Sequence, residues 1–127
     1  MNDNLPGFLM CVCTGKCPGF QAMDIWDFIN QVRVELPVEY AIIHPQMCEE
    51  DGDRFFADFL KTGRKVVIGA CAPNMQRKMF KDAFKDAFKD AGLDIEKDAV
   101  MLDIRDMTNE QAFEKVEKAL EDMGLEV

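Results

Sequence analysis

The chain has 127 residues, enough for one domain around one core, and its 48% hydrophobic and 31% charged residues are ordinary for a globular protein. No apolar run approaches the roughly 20 residues that span a bilayer, and Met1-Asn2-Asp3-Asn4 lacks the positive start of a signal peptide, so a cytoplasmic protein is expected. A net charge of −9 repels phosphate backbones and argues against nucleic acid as a partner.

In chain order, Phe8-Leu9-Met10-Cys11-Val12-Cys13 reads as a short buried strand, ended by the turn-prone Thr14-Gly15-Lys16 and Pro18-Gly19. Asp24 is placed to cap a helix running to about Leu36, with Ile25, Phe28, Ile29, Val32 and Leu36 on one face. Tyr40-Ala41-Ile42-Ile43 is a second strand, stopped by His44-Pro45. A second helix is expected at about 51–61, with Phe55, Phe56, Phe59 and Leu60 at helical spacing and Gly63 closing it. Lys65-Val66-Val67-Ile68-Gly69-Ala70 is the clearest strand, bounded by Gly63 and Pro73.

A third helix, about 75–91 and closed by Gly92, repeats Lys-Asp-Ala-Phe at 81–84 and 85–88. Phe80, Phe84 and Phe88 then share one face, which suits the core better than a partner. Ala99-Val100-Met101-Leu102-Asp103-Ile104 is the fourth strand. The last helix, about 108–123, opens with Thr108 as N-cap and Gln111 three residues on. The order βαβαβαβα predicts a single α/β domain over 1–127. Its one open sheet has about four parallel strands, joined by right-handed crossovers, with helices on both faces.

The five cysteines carry the functional argument. An odd count without a signal sequence does not suit a disulfide framework, and in a reducing compartment clustered cysteines bind metal or do redox chemistry. Cys11 and Cys13 end the first predicted strand and Cys17 lies in the loop after it; Cys48 follows the second strand and Cys71 the third. Ligand sites of parallel sheets form beyond the carboxyl ends of the strands, so all five are expected at one edge.

Cysteine-only ligation selects zinc or an iron–sulfur cluster. No pair of Cys-x-x-Cys motifs points to structural zinc, whereas ligands on several loops suit a [4Fe–4S] cubane with one cysteine to spare. His44, the only histidine, is a lesser candidate for a ligand than for a strand-end residue that bonds locally or stays solvated. N–H groups near Gly15, Lys16 and Ala72 are placed to bond cluster sulfurs, and Gly15, Gly19 and Gly69 to allow close backbone approach; turn geometry is the plainer role of each glycine. The acidic run Glu49, Glu50, Asp51 and Asp53 reads as a helix N-terminus rather than a docking patch, and Trp26 as either core or interface.

These residues resemble the N-terminal domain of the flavin-bearing subunit of heterodisulfide reductase. The resemblance rests on Phe8-Leu9-Met10-Cys11-Val12-Cys13, on Met47-Cys48 with its acidic residues and Gly52, on Val66-Val67-Ile68-Gly69-Ala70-Cys71-Ala72-Pro73, on Met79-Phe80 and on Ile104-Arg105. It runs in order over about residues 8–106. It implies a domain that holds a [4Fe–4S] cluster within an anaerobic electron-transfer complex, with redox proteins as partners. Cys11, Cys13, Cys48 and Cys71 match the family's cysteines, and Cys17 is an addition that competes with Cys11 for the fourth ligand. The family's Gly-x-Gly-x-x-Gly loop is absent from this sequence, so no FAD is expected.

Other readings stay open. Cys13 and Cys17 are near enough in sequence for thiol or persulfide chemistry. Cys71 and Arg77 have the spacing of the phosphate loop in cysteine phosphatases and arsenate reductases, although the five residues between them include no glycine and Pro73 removes a donor. Structural zinc and unrelated buried thiols complete the set. A role in electron transfer within a larger complex is preferred to a catalyst acting alone.

Overall fold

The computed structural model describes residues 5–12, 18–45, 51, 54–55, 58–59, 64–70, 92 and 98–126. Four strands, β1 (Gly7–Cys11), β2 (Ala41–His44), β3 (Val66–Ala70) and β4 (Ala99–Asp103), form one parallel sheet in the order β2-β1-β3-β4. Two helices are complete among the described residues, α1 (Ile25–Glu35) and α2 (Asn109–Asp122). The α/β fold with a single four-stranded parallel sheet is thus the one expected.

The register is continuous across the sheet. Phe8 faces Ala41 on one side and Val67 on the other, and Val67 faces Val100. All five residues of β3 are buried, as befits a strand with neighbours on both sides and cover on both faces. The strand limits differ slightly from the sequence reading. β1 stops at Cys11 although the apolar run continues, and Val12 N–H still donates to the carbonyl of His44 at 3.3 Å. β2 starts one residue later and includes His44.

Helix ends follow their local chemistry. The Asp24 side chain accepts from the N–H of Asp27 at 3.1 Å and caps α1. Thr108 and Gln111 form a capping box at the start of α2: the Thr108 hydroxyl accepts from Gln111 N–H at 3.3 Å, and the Gln111 amide oxygen accepts from Thr108 N–H at 3.0 Å. Asp51, Arg54, Phe55, Asp58 and Phe59 are helical, in agreement with the second predicted helix. The third predicted helix, with its Phe80, Phe84 and Phe88 stripe, lies outside the described residues. Gly92 has φ +75°, the left-handed conformation suited to a helix-ending glycine.

Alternate strand residues turn to opposite faces. On the first face, Phe8, Met10 and Val67 pack with Phe28, Ile29 and Val32 of α1 and Ala112, Val116 and Leu120 of α2. The rings of Phe8 and Phe28 meet edge to face with centroids 6.0 Å apart. On the second face, Leu9 and Ile68 are fully buried, and the rings of Tyr40 and Phe59 lie against Gly7. Helical cover on both faces follows from the strand order, because the chain moves one way from β1 to β2 and back the other way to β3.

Candidate functional site at the carboxyl edge

The sheet order creates a switch point. The connection leaving β1 runs outward to β2 and the one leaving β3 runs the other way to β4; in open parallel sheets ligands bind beyond the carboxyl ends of the strands at such a point. At this edge Cys11, His44, Ala70 and Asp103 end the four strands. Register pairs Cys11 with His44, so both side chains turn to the second face. Cys11 is half-buried.

His44 is buried rather than solvated. Its Nε2 lies 3.3 Å from an Asp51 carboxylate oxygen, and its ring packs against Phe55 at a centroid distance of 5.5 Å. Phe55, Phe59 and Tyr40 extend that contact into a row of rings, each about one ring from the next, at 5.6 and 5.5 Å. Asp51 therefore has a specific partner, beyond the general role of an acid in the first turn of a helix.

Beside this lies a clamp that no sequence pattern announced. Asn109, the first residue of α2, accepts from Asp24 N–H at 2.9 Å and donates from Nδ2 to the Asp24 carbonyl at 3.2 Å, joining the starts of both helices. Asp106 N–H donates to the Gly19 carbonyl at 2.6 Å. A Cβ on Gly19 would lie 3.0 Å from Cβ and Cγ of Arg105, so glycine here serves close packing on the Arg105 stem. The segment returning from β1 is thereby fastened to the segment leaving β4.

Arg105 grips Asp103 through Nε and Nη2, each 3.1 Å from a carboxylate oxygen, and its own N–H adds a third bond at 3.1 Å. Those guanidinium hydrogen bonds hold the Asp103 carboxyl below the usual range, against the opposing effect of partial burial. Lys115 Nζ donates to the Asp103 carbonyl at 2.8 Å, covering a backbone acceptor on the edge strand.

Of the cysteines proposed from sequence, Cys11 is the one described, together with His44, Gly19 and Gly69 among the other candidates. Cys13, Gly15, Lys16, Cys17, Cys48, Cys71 and Ala72 lie outside the described residues, as does Arg77 of the phosphatase reading. Among the described residues no group of three or more His, Cys, Asp or Glu side chains is arranged to hold a metal ion. Gly69 has a packing role: a Cβ there would sit 2.9 Å from Ile104 Cδ1 and 3.1 Å from the Phe8 ring. No helix among the described residues is long and apolar enough to cross a membrane. No family model matches the chain, and no curated protein matches it significantly.

Proposed function

We propose that this protein transfers electrons through one [4Fe–4S] cluster at the carboxyl edge of the sheet, as part of an anaerobic redox complex like that of heterodisulfide reductase. The observation that carries the reading is the strand order. β1, β2 and β3 are adjacent and parallel, and in the sequence each is followed by cysteine: Cys13 and Cys17 after β1, Cys48 after β2, Cys71 directly after β3. A donor set of thiolates suits such a cluster chemically.

Cys13, Cys48 and Cys71 would hold it, with Cys11 or Cys17 as the fourth ligand. When bound, the cluster takes up and releases an electron at a potential set by burial, charge and hydrogen bonds to its sulfurs. The chain's own contribution is a rigid edge. Cys11 is anchored in the β1 ladder, and the clamp through Asn109, Gly19 and Arg105 fixes the segment that follows the first cysteine loop. N–H groups near Gly15, Lys16 and Ala72 would bond to sulfur. The cysteine chemistry suits a reducing cytoplasm and partners that are themselves redox proteins.

Anaerobic purification followed by visible absorption, iron and acid-labile sulfide assays tests this reading. The expected result is about four irons and four sulfides per chain, as a cubane requires. Alanine at Cys11 and at Cys17, compared, then identifies the fourth ligand by which variant loses iron. A colourless protein that takes up no iron on anaerobic reconstitution overturns the reading.

A further inference from the structure

Trp26, the only tryptophan of the chain, is the second residue of α1 and is 66% exposed. Val34, eight residues on, is 69% exposed. Single exposed valines are common on protein surfaces and need no explanation. An indole left in water is different, because Trp has the largest apolar area to bury and is the residue most enriched at the centres of protein interfaces.

Position separates the two further. α1 follows β1 and so begins at the carboxyl edge of the sheet; Asn109 ties its cap residue Asp24 to the start of α2 at that same edge. Val34 lies about 12 Å farther along the helix axis, toward the opposite edge. Beside it Arg33 donates to the Asn30 side chain at 3.2 Å.

The charges around the two differ as well. Asp24, Asp27, Asp106 and Glu110 are all exposed at the end of the molecule where Trp26 stands. The described cations on this side of the edge are already engaged: Arg105 by the Asp103 carboxylate and Lys115 by the Asp103 carbonyl. An aromatic anchor among these exposed acids is complementary to a basic surface, and it repels a second copy of this chain and anionic lipid alike.

We propose that the Trp26 end of α1, with Asp24, Asp27, Asp106 and Glu110, is the docking surface for a partner protein that presents a basic face. The redox character of that partner rests on the electron-transfer reading above; the docking itself does not.

Cytochrome c, a basic redox protein, serves as the probe, titrated at low ionic strength into nitrogen-15-labelled protein. Amide and indole shifts are followed by NMR, and each variant is first checked for an intact folded spectrum. The expected shifts centre on the Trp26 indole and on residues 24–30 and 105–111, and about 0.3 M salt removes them through screening. Trp26→Ala and the double variant Asp27→Asn/Glu110→Gln should each weaken binding about tenfold, a typical effect for an anchor or a steering charge, while Val34→Ala leaves it unchanged.

Shifts centred elsewhere, no binding, or equal binding by all variants overturns the proposal. So does self-association through Trp26, or binding of phosphatidylserine vesicles at this face. The titration reads the protein with or without iron, so failure of the docking surface and failure of the cluster reading are separate results.

Discussion

The two faces of the sheet are made from alternate residues of the same strands, yet they are built for different ends. The first face takes Phe8, Met10 and Val67 and closes them under α1 and α2 in a continuous apolar cluster. The second buries Leu9 and Ile68 just as fully at its centre, but at the carboxyl edge it changes character. Cys11, His44 and Asp103 occupy the last positions of β1, β2 and β4 there. Since the side-chain period of a strand is two, a slip of one residue in β1 would send Cys11 into the apolar cluster and Phe8 out of it. The assignment of side chains to the two faces is therefore held by register.

The largest effect that would test this division is expected from Phe8→Ala. Phe8 is fully buried and packs edge to face on Phe28, so its loss removes apolar burial and leaves a cavity between sheet and α1. A destabilisation of about 3–5 kcal/mol is expected from urea or thermal unfolding. On the cluster reading proposed above, iron content per folded chain should not change, because Phe8 turns to the face opposite Cys11. A loss below about 1 kcal/mol, small for a buried aromatic, would break the view of this face as the structural core.

Gly69→Ala comes next. Its new methyl would lie 2.9 Å from Ile104 Cδ1 and 3.1 Å from the Phe8 ring, in a strand whose neighbours are paired on both sides. Overpacking of this kind costs about 1–3 kcal/mol. Pairing the substitution with Ile104→Val, which frees a methyl, should restore part of the loss. If the pair recovers nothing, the strain lies in the strand and not in the contact.

How much of this was legible beforehand depended on the range of each interaction. Strands and helix caps are local, so the Val66–Ala70 run and the Thr108–Gln111 box could be read directly from neighbouring residues. The sheet's parallel character followed from alternation of elements. The Asn109–Asp24 clamp joins residues 85 apart and leaves no periodic trace. Gly19 and Gly69 looked suited to approach by a cofactor, but what approaches them is Arg105 and the Phe8–Ile104 pair, partners fixed only by tertiary packing. The exposure of Trp26 was likewise undecided, because it borders the apolar stripe of α1 and either side was open to it. Of the candidate ligands, Cys11 is set by β1 register; Cys13, read from sequence at the end of the same strand, lies outside the described residues, and Cys17, Cys48 and Cys71 are read in loop sequences, where no hydrophobic period fixes a side-chain direction.

His44 sharpens the comparison at the second face. Its burial depended on which helix covers β2, and Phe55 with Asp51 supplies that cover. Asp51 is 65% exposed in its side chain, so water can replace the imidazole hydrogen bond. His44→Phe should therefore cost less than about 1 kcal/mol, whereas His44→Ala should cost about 2 kcal/mol or more through the cavity. Equal losses would make the Asp51 bond the dominant contribution. Iron lost in His44→Phe, with the fold intact, would instead make the imidazole a ligand and remove one cysteine from the set.

The smallest expected effect is electrostatic and lies at the β4 end of the edge. Asp103 has its folded pKa lowered by the Arg105 hydrogen bonds, with further help from the Arg105 and Lys115 charges. A carboxylate with a depressed folded pKa binds fewer protons when folded than when unfolded over the range between its two pKa values. Its contribution is thus complete above the unfolded value of about 3.9 and is lost as pH falls through the folded value. The Arg105 side chain is 38% exposed and that of Asp103 28%, so solvent screening limits the gain to a few tenths of a kcal/mol, at most about 1. Asp103→Asn should accordingly fall below the parent by a constant margin from pH 7 to about 5, and the two stability curves should converge below about pH 4. High salt should narrow the margin at neutral pH. A margin that persists unchanged into acid would mean that the fork geometry matters and the charge does not, since asparagine keeps the shape of the side chain but replaces one acceptor with a donor.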